Sequence, residues 1–236
     1  MAKIFVATDT HGECDRFKEL LAKANFNYEE DELRHLGDVC DRGPDSYGVV
    51  EELLKVKNLI AIRGNHDEWL LRFADTGCIM HPNPYYFKET LDSYLYQSED
   101  YLANPIPSNI IPKHHLAFYK GQLPYYLDEQ GRFFTHAGYN RREFVEDQDL
   151  SEFAWNRDFF KQAMCLGPDD KLNDVNGFKQ VFIGHTCTIG WQKNGKNIDK
   201  PIYKGQVVNL DTGACFGGKL SMLDITDSDN HILYQN

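Results

Sequence analysis

Gly37-Asp38-Val39-Cys40-Asp41-Arg42-Gly43 sets two carboxylates and one guanidinium between two glycines. The residues before it read as a strand ending near Leu36. Those after it, Pro44, Val49, Val50, Leu53 and Leu54, describe a helix with proline near its first turn. The motif therefore lies where a strand hands over to a helix. In α/β folds that carboxyl edge of the sheet is where sites assemble.

The same rhythm lies on either side. Ile4–Ala7 is an apolar run without a polar break, as in a strand buried on both faces. The polar turn Asp9-Thr10-His11-Gly12 follows it, then Phe17, Leu20, Leu21 and Ala24 at helical spacing. The acidic run Glu29-Glu30-Asp31-Glu32 reads as a solvated turn. Leu59–Ile62 is a further strand, followed by Gly64-Asn65-His66-Asp67 and a helix through Trp69, Leu70 and Phe73. Later strands are predicted at Phe133–Thr135, Val181–Ile183, Val207–Leu210, Leu220–Ile225 and Ile232–Tyr234. Two of them end in Thr135-His136-Ala137-Gly138 and Gly184-His185-Thr186, and Asn194-Gly195 is a hairpin-turn signal.

Two stretches, at about 75–131 and 141–177, break the pattern. The first is rich in tyrosine and proline; the second is charged and expected to be mostly helical. Both read as insertions over the core of one domain spanning residues 1–236, since no linker divides the chain. A chain of this size buries roughly 70% of its unfolded surface and needs no disulfide to hold a core. Hydrophobic content of 42% and charged content of 26% are those of an ordinary globular domain. The net charge of −11 argues against general nucleic-acid binding. It leaves a small phosphorylated substrate open, because bound metals invert the local field. Cys14, Cys40, Cys78, Cys165, Cys187 and Cys215 form no Cys-x-x-Cys pair, which suits a reduced, cytoplasmic setting. No run is long enough to cross a membrane, and Met1–Ala7 lacks a signal-peptide pattern. Oligomeric state is not legible.

Asp and His suit Mn²⁺, Fe or Zn²⁺. In an extended segment, residues two apart face one side, so Asp9 and His11 can grip one ion. Asp38 carries two oxygens and can bridge two ions, Asn65 offers a neutral carbonyl, and His136 and His185 can complete the second ion. Singly, each cluster also reads as a turn or a helix cap: Gly64–Asp67 fits an Asx turn equally well. Five such clusters at five predicted strand ends favour a metal centre. Arg157 also reads as a helix-surface charge, Asp211 as the organiser of a turn, and Cys40 and Cys187 as small apolar filler.

The ordered set Asp9-x-His11, Gly37-Asp38-x-x-Asp41-Arg42-Gly43, Gly64-Asn65-His66-Asp67, His136-Ala137-Gly138 and Gly184-His185-Thr186 resembles the calcineurin-like metallophosphoesterases. Within them it resembles the phosphoprotein phosphatase family, from Lys3 to about Ile225. Trp155-Asn156-Arg157, Leu210-Asp211-Thr212-Gly213-Ala214 and Gly217-Gly218-Lys219-Leu220 are similar to elements of its bacterial and bacteriophage branch. The resemblance implies a four-layer α/β (α+β) sandwich of two mixed β-sheets flanked by helices, with a dinuclear metal site at one edge. It assigns Asp9, His11 and Asp38 to the first metal, and Asp38, Asn65, His136 and His185 to the second. It implies that Arg42 and Arg157 clamp phosphate and that His66, oriented by Asp41, protonates the leaving group. Asp67 stands where protein phosphatases usually carry Glu, Thr10 where relatives often carry an apolar residue, and Ala137 where Gly is common. None of these changes a ligand.

Two metals about 3.5–4 Å apart can hold a hydroxide for in-line attack. Arginines suit phosphoryl oxygens, and a general acid helps a poor alkoxide leaving group by about 10²–10⁴-fold. The expected function is hydrolysis of phosphomonoesters, foremost as a serine/threonine protein phosphatase of bacterial type using two divalent ions, with Mn²⁺ first. The substrate would be a phosphorylated protein or a small phosphorylated molecule. The alternative is a symmetrical dinucleoside tetraphosphate hydrolase, with Tyr85, Tyr86, Tyr125 and Tyr126 available to stack a base. A non-catalytic scaffold ranks last, because no ligand is missing.

Overall fold

The computed structural model describes residues 2–97, 108–193 and 196–236. The hairpin signal Asn194-Gly195 lies outside the described residues. Alternation along the strands builds the architecture. In β1 (Ile4–Ala7), Val6 faces one way while Phe5 and Ala7 face the other, and these two faces belong to different cores. After α1 (Cys14–Lys23) comes β2 (Glu32–His35), then α2 (Ser46–Leu54) and β3 (Asn58–Ala61). β1, β2 and β3 run parallel, each linked to the next by a helix. The predicted proline-led start of α2 moves along the chain. Asp45 caps the helix by accepting the Gly48 N–H at 2.8 Å, which leaves Pro44 outside it.

α3 (Asn65–Thr76) and α4 (Pro84–Tyr96) follow, then α5 (Lys113–Gly121), β4 (Tyr125–Leu127) and β5 (Arg132–Thr135). The stretch read as an insertion over the core therefore contributes a strand: β4 pairs antiparallel with β5. Tyr125 packs on Phe133 and Phe153, and Tyr126 lies beneath Arg34, so both are structural.

α6 (Leu150–Trp155) and α7 (Asp158–Met164) are the only α-helices described between residues 141 and 177. The expectation of a mostly helical stretch fails there. Gly167, Pro168, Asn173 and Gly177 favour turns, and side chains such as Asp170, which accepts the Gly167 N–H at 3.0 Å, hold the backbone in them. The remaining strands are β6 (Gln180–Ile183), the pair β7 (Gln192–Lys193) and β8 (Lys196–Asn197), β9 (Ile202–Lys204), β10 (Val207–Asn209), β11 (Ser221–Asp224) and β12 (Ile232–Gln235). Among the described residues, no helix is long and apolar enough to cross a membrane.

Two mixed five-stranded sheets result, in the orders β12-β11-β1-β2-β3 and β4-β5-β6-β10-β9. Val6, Leu36, Ile62 and Leu223 from the first meet Phe134, Phe182, Val208 and Leu210 from the second in a shared core. The outer face of the first sheet packs on α1 to α5, and that of the second on α6 and α7. This is the expected four-layer sandwich. Its parallel strands β1, β2 and β3 end along one edge, as do β5 and β6, so five strand ends deliver loops to one place.

An ion network pins the two sheets together at the opposite ends of these strands. Asp128 Oδ2 accepts from Arg34 Nη1 at 2.7 Å and from Arg132 Nε at 2.6 Å, with all three side chains at most 6% exposed. Arg34 also lies over the Phe134 ring at 4.4 Å. Burial pushes the Asp128 carboxyl up, but the hydrogen bonds from Arg34 and Arg132 outweigh it and hold the group below its usual value of 3.8. Replacing Asp128 with Ala would leave buried Arg132 without its carboxylate and Arg34 with Glu32 alone, and chemical denaturation should show a loss of about 3–5 kcal/mol. Because the folded pKa is depressed, the wild-type contribution is present above pH 3.8 and fades as pH falls through the folded value. A variant with unchanged stability would contradict this role.

Candidate metal centre and phosphate site

All the site residues except Arg157, which lies between α6 and α7, follow the end of a strand. Asp9 and His11 follow β1, Asp38, Asp41 and Arg42 follow β2, and Asn65 and His66 open α3 just after β3. His136 follows β5 and His185 follows β6. The loops are laced to one another by backbone bonds: Asp9 N–H donates to Gly37 O at 3.0 Å, His11 N–H to Asp38 O at 3.0 Å, and Gly184 N–H to His136 O at 2.8 Å. Asp9, His11, Asn65, His66, His136, Asp38, Asp41 and His185 are all buried.

The backbone is strained here. Positive φ among described non-glycine residues occurs at Asp9, His11, Asp38, Asp41, Arg42 and His185, and otherwise only at Asn25. Each such residue costs of order 1–3 kcal/mol and persists only where its surroundings over-determine it. Two glycines make the crowding possible. A Cβ on Gly64 would run into Asp38 Oδ1, and one on Gly184 into Asp9 Oδ2.

The donor atoms converge without a proton for each contact. His136 Nδ1 is bonded to the Leu36 carbonyl at 2.8 Å, which turns Nε2 toward Asp38 Oδ1 at 3.3 Å, Asn65 Oδ1 at 3.3 Å and His185 Nδ1 at 3.2 Å. Four nitrogen and oxygen atoms thus share one small space. His11 repeats the arrangement: its Nδ1 bonds the Cys40 carbonyl at 2.7 Å, and Nε2 faces Asp38 Oδ2 at 3.4 Å and Asp9 Oδ1 at 3.7 Å. Carbonyls on the far nitrogen are the usual means of aiming an imidazole at a metal. His185 Nε2 is buried and has no hydrogen-bond partner among the described residues.

Electrostatics point the same way. Burial, then Asp211 and Asp38, push the Asp9 carboxyl well above its usual value. Burial opposes charge on His136, yet Asp38 and Asp9 outweigh it and hold its pKa up to about 9. Burial and the neighbouring His136 and Arg157 keep His185 well below the usual value, neutral and able to offer a lone pair. The space between these groups demands positive charge, and the mixed O and N donors fit divalent ions.

Asp67 holds the loops in register. Its Oδ2 accepts from Asp38 N–H at 3.1 Å, Gly64 N–H at 2.9 Å and Gln122 Nε2 at 3.0 Å, and its Oδ1 from Val39 N–H at 3.0 Å. Beside the candidate ligand cluster stands a second constellation. His66 Nδ1 lies 2.6 Å from Asp41 Oδ2, and Thr90 Oγ1 donates to Asp41 Oδ1 at 2.9 Å. Arg42 Nη2 reaches His66 Nε2 at 2.9 Å and its Nη1 reaches His11 Nε2 at 2.6 Å, so the guanidinium lies between the two groups. Arg157 is placed at the His185 side, where its Nη1 donates to the His185 carbonyl at 2.9 Å. Asp211 accepts from Gly213 N–H at 3.0 Å and orders that turn.

Sequence reasoning missed His81. It is buried against Trp69, with ring centroids 4.4 Å apart, and its Nε2 stands 3.7 Å from Asp41 Oδ2. Its Nδ1 accepts the Asn83 N–H at 2.8 Å. A lone histidine in a proline-rich stretch carries no motif that would have marked it.

Comparison with known proteins agrees with this geometry. The calcineurin-like phosphoesterase family model matches residues 2–189. The asymmetrical bis(5′-nucleosyl)-tetraphosphatase PrpE of Bacillus cereus is 28% identical over 245 residues, covering 94% of this chain and 89% of that protein. Serine/threonine-protein phosphatase 1 of Salmonella typhimurium is 25% identical over 228 residues, covering 94% of this chain and 91% of that protein. The crystal structure of a putative diadenosine tetraphosphatase superposes with a TM-score of 0.64 at 20% identity, covering 100% of this chain and 94% of that one. With the family model spanning most of its length and His/Asp clusters gathered at one sheet edge, the chain belongs to the calcineurin-like phosphoesterases and is a metal-dependent phosphoesterase.

Proposed function

We propose that this phosphoesterase is a serine/threonine protein phosphatase of bacterial type, acting on phosphorylated protein. The observation that carries this reading is the His66–Asp41 pair beside Arg42. In it, Asp9, His11 and Asp38 hold one divalent ion, and Asp38, Asn65, His136 and His185 a second. Mn²⁺ is the first choice, with Fe or Zn²⁺ also suited to these donors. When bound, the ions supply an activated water and compensate charge on the phosphoryl oxygens.

The chain's own groups do the rest. Arg42 is fixed by its N–H to the Tyr86 carbonyl at 3.0 Å and presents its guanidinium N–H groups to phosphoryl oxygens. Arg157 offers a second guanidinium from the His185 side. Asp41 accepts from His66 Nδ1 and fixes the ring, so that Nε2 delivers a proton to the departing oxygen. That delivery matters most when the leaving group is a serine or threonine alkoxide.

One observation favours a second reading, the dinucleoside tetraphosphates. Tyr86 and Phe216 flank the Arg42 guanidinium at 5.9 and 4.8 Å, and Phe216 is 49% exposed, a surface on which a base could stack. The Bacillus cereus relative carries the asymmetrical activity in its name, so this reading takes that form rather than the symmetrical one. Membership of an enzyme family with its His/Asp clusters present sets the scaffold reading aside.

Mn²⁺-loaded protein offered phosphoserine and phosphothreonine peptides in one assay and diadenosine tetraphosphate in another should show the higher kcat/KM on peptide. Preferred cleavage of the dinucleotide would overturn the protein-phosphatase reading in favour of the second. Replacing His66 with Asn should lower kcat on phosphopeptide by about 10²–10⁴-fold, and much less on an aryl ester with a good leaving group. An equal loss on both would remove His66 from the role of acid. Gly64→Ala, by displacing Asp38, should weaken metal binding by about 10–100-fold in equilibrium dialysis, the range for a disturbed ligand support. Undiminished affinity would contradict the ligand role of Asp38.

A further inference from the structure

Outside the phosphoesterase centre, Glu51 of α2 meets His114 and His115 of α5. Both imidazole Nε2 atoms lie 2.8 Å from the same oxygen, Glu51 Oε1. Successive residues on a helix project about 100° apart. For His114 and His115 to converge on one point, both rings must turn toward it. His115 is fully buried, and its Nδ1 is held by the Tyr94 hydroxyl at 2.9 Å. Tyr47 covers its face at a centroid distance of 4.7 Å. That support leaves Nε2 as the presented atom, in the manner of a ligand oriented from behind.

The other side of the cluster faces water. The Glu51 side chain is 41% exposed and that of His114 56%, so an ion can enter and keep water in a remaining position. Two imidazoles and one carboxylate form the His₂Glu set that tetrahedral Zn²⁺ accepts alongside a water. Ligand atoms about 2.0–2.2 Å from such an ion stand about 3.3 Å apart, so each Glu51–His separation needs to open by only about half an ångström.

We propose that Glu51, His114 and His115 bind a further divalent transition-metal ion of the Zn²⁺ type, separate from the phosphoesterase centre and clamping α5 onto α2. α2 begins just after the Gly37–Gly43 loop, and α5 lies in the tyrosine-rich stretch, so the ion ties that stretch to the helix behind the phosphate loop. The alternative occupant of the cluster is a pair of protons, with both rings simply donating to Glu51.

Counting ions separates the two. Chelator-stripped wild type, His114→Ala and Glu51→Gln are dialysed against micromolar free Zn²⁺ and their zinc content is measured by elemental analysis. Each variant should hold one ion fewer per chain than wild type, while Mn²⁺-dependent phosphate release stays unchanged. Occupancy of the phosphoesterase centre cancels in that difference. Both altered residues are partly exposed, and circular dichroism verifies that the variants are folded. Equal zinc content in all three proteins would overturn the proposal and leave the cluster as hydrogen bonds alone.

Discussion

Buried negative charge at the junction of the two sheets is the constraint on which the rest of the molecule depends. Asp9, Asp38 and Asp211 are buried together: burial and the neighbouring carboxylates push Asp9 and Asp211 up, while at Asp38 burial is outweighed by the adjacent His136 and His66, which hold it well below its usual value. Gathering such groups is unfavourable unless cations occupy the space between them. Around it the structure is arranged to keep the groups from relaxing apart. Strained loop residues, glycines that let loops touch, and backbone carbonyls behind His11 and His136 all act to that end. Local strain of this kind is sustained by the stable sandwich that carries it.

The sandwich explains how that concentration is possible. Parallel strands β1, β2 and β3 end together, β5 and β6 end beside them, and each is followed by a loop or helix start that carries site residues. Asp67 then ties the second and third loops through four hydrogen bonds from the backbone and Gln122. Far from this edge, Asp128 joins Arg34 of one sheet to Arg132 of the other, fixing their relative placement. A dinuclear centre assembled from both sheets needs that placement held to a fraction of an ångström.

The metal-ligand candidates and the His66, Asp41 and Arg42 group were legible because each lies in a short glycine-bearing motif at a strand end, and β1 and β3 because their apolar residues are nearly contiguous. The rest was hidden for particular reasons. Tyr125-Tyr126-Leu127 is too short, between Pro124 and Asp128, to show strand alternation, and only its pairing with β5 makes it one. Residues 141–177 carry charges that suit helices, yet their turn-forming Gly, Pro, Asn and Asp side chains prevail. His81, the clamp made by Asp67, and the Asp128 network join residues brought together by tertiary structure, so no local spacing announces them. Asp128 and Arg34 are 94 positions apart in the chain.

The central claim, that this convergence of donors is a working metal centre for phosphate-ester hydrolysis, is tested most directly by stripping the protein of metal and following phosphate release from an aryl phosphomonoester. Activity should be absent from the stripped, folded protein and return on titration with Mn²⁺, saturating at two ions per chain if the zinc-type cluster is left empty. Folded protein that releases no phosphate at any Mn²⁺ concentration, or releases it equally well when stripped, would contradict the account.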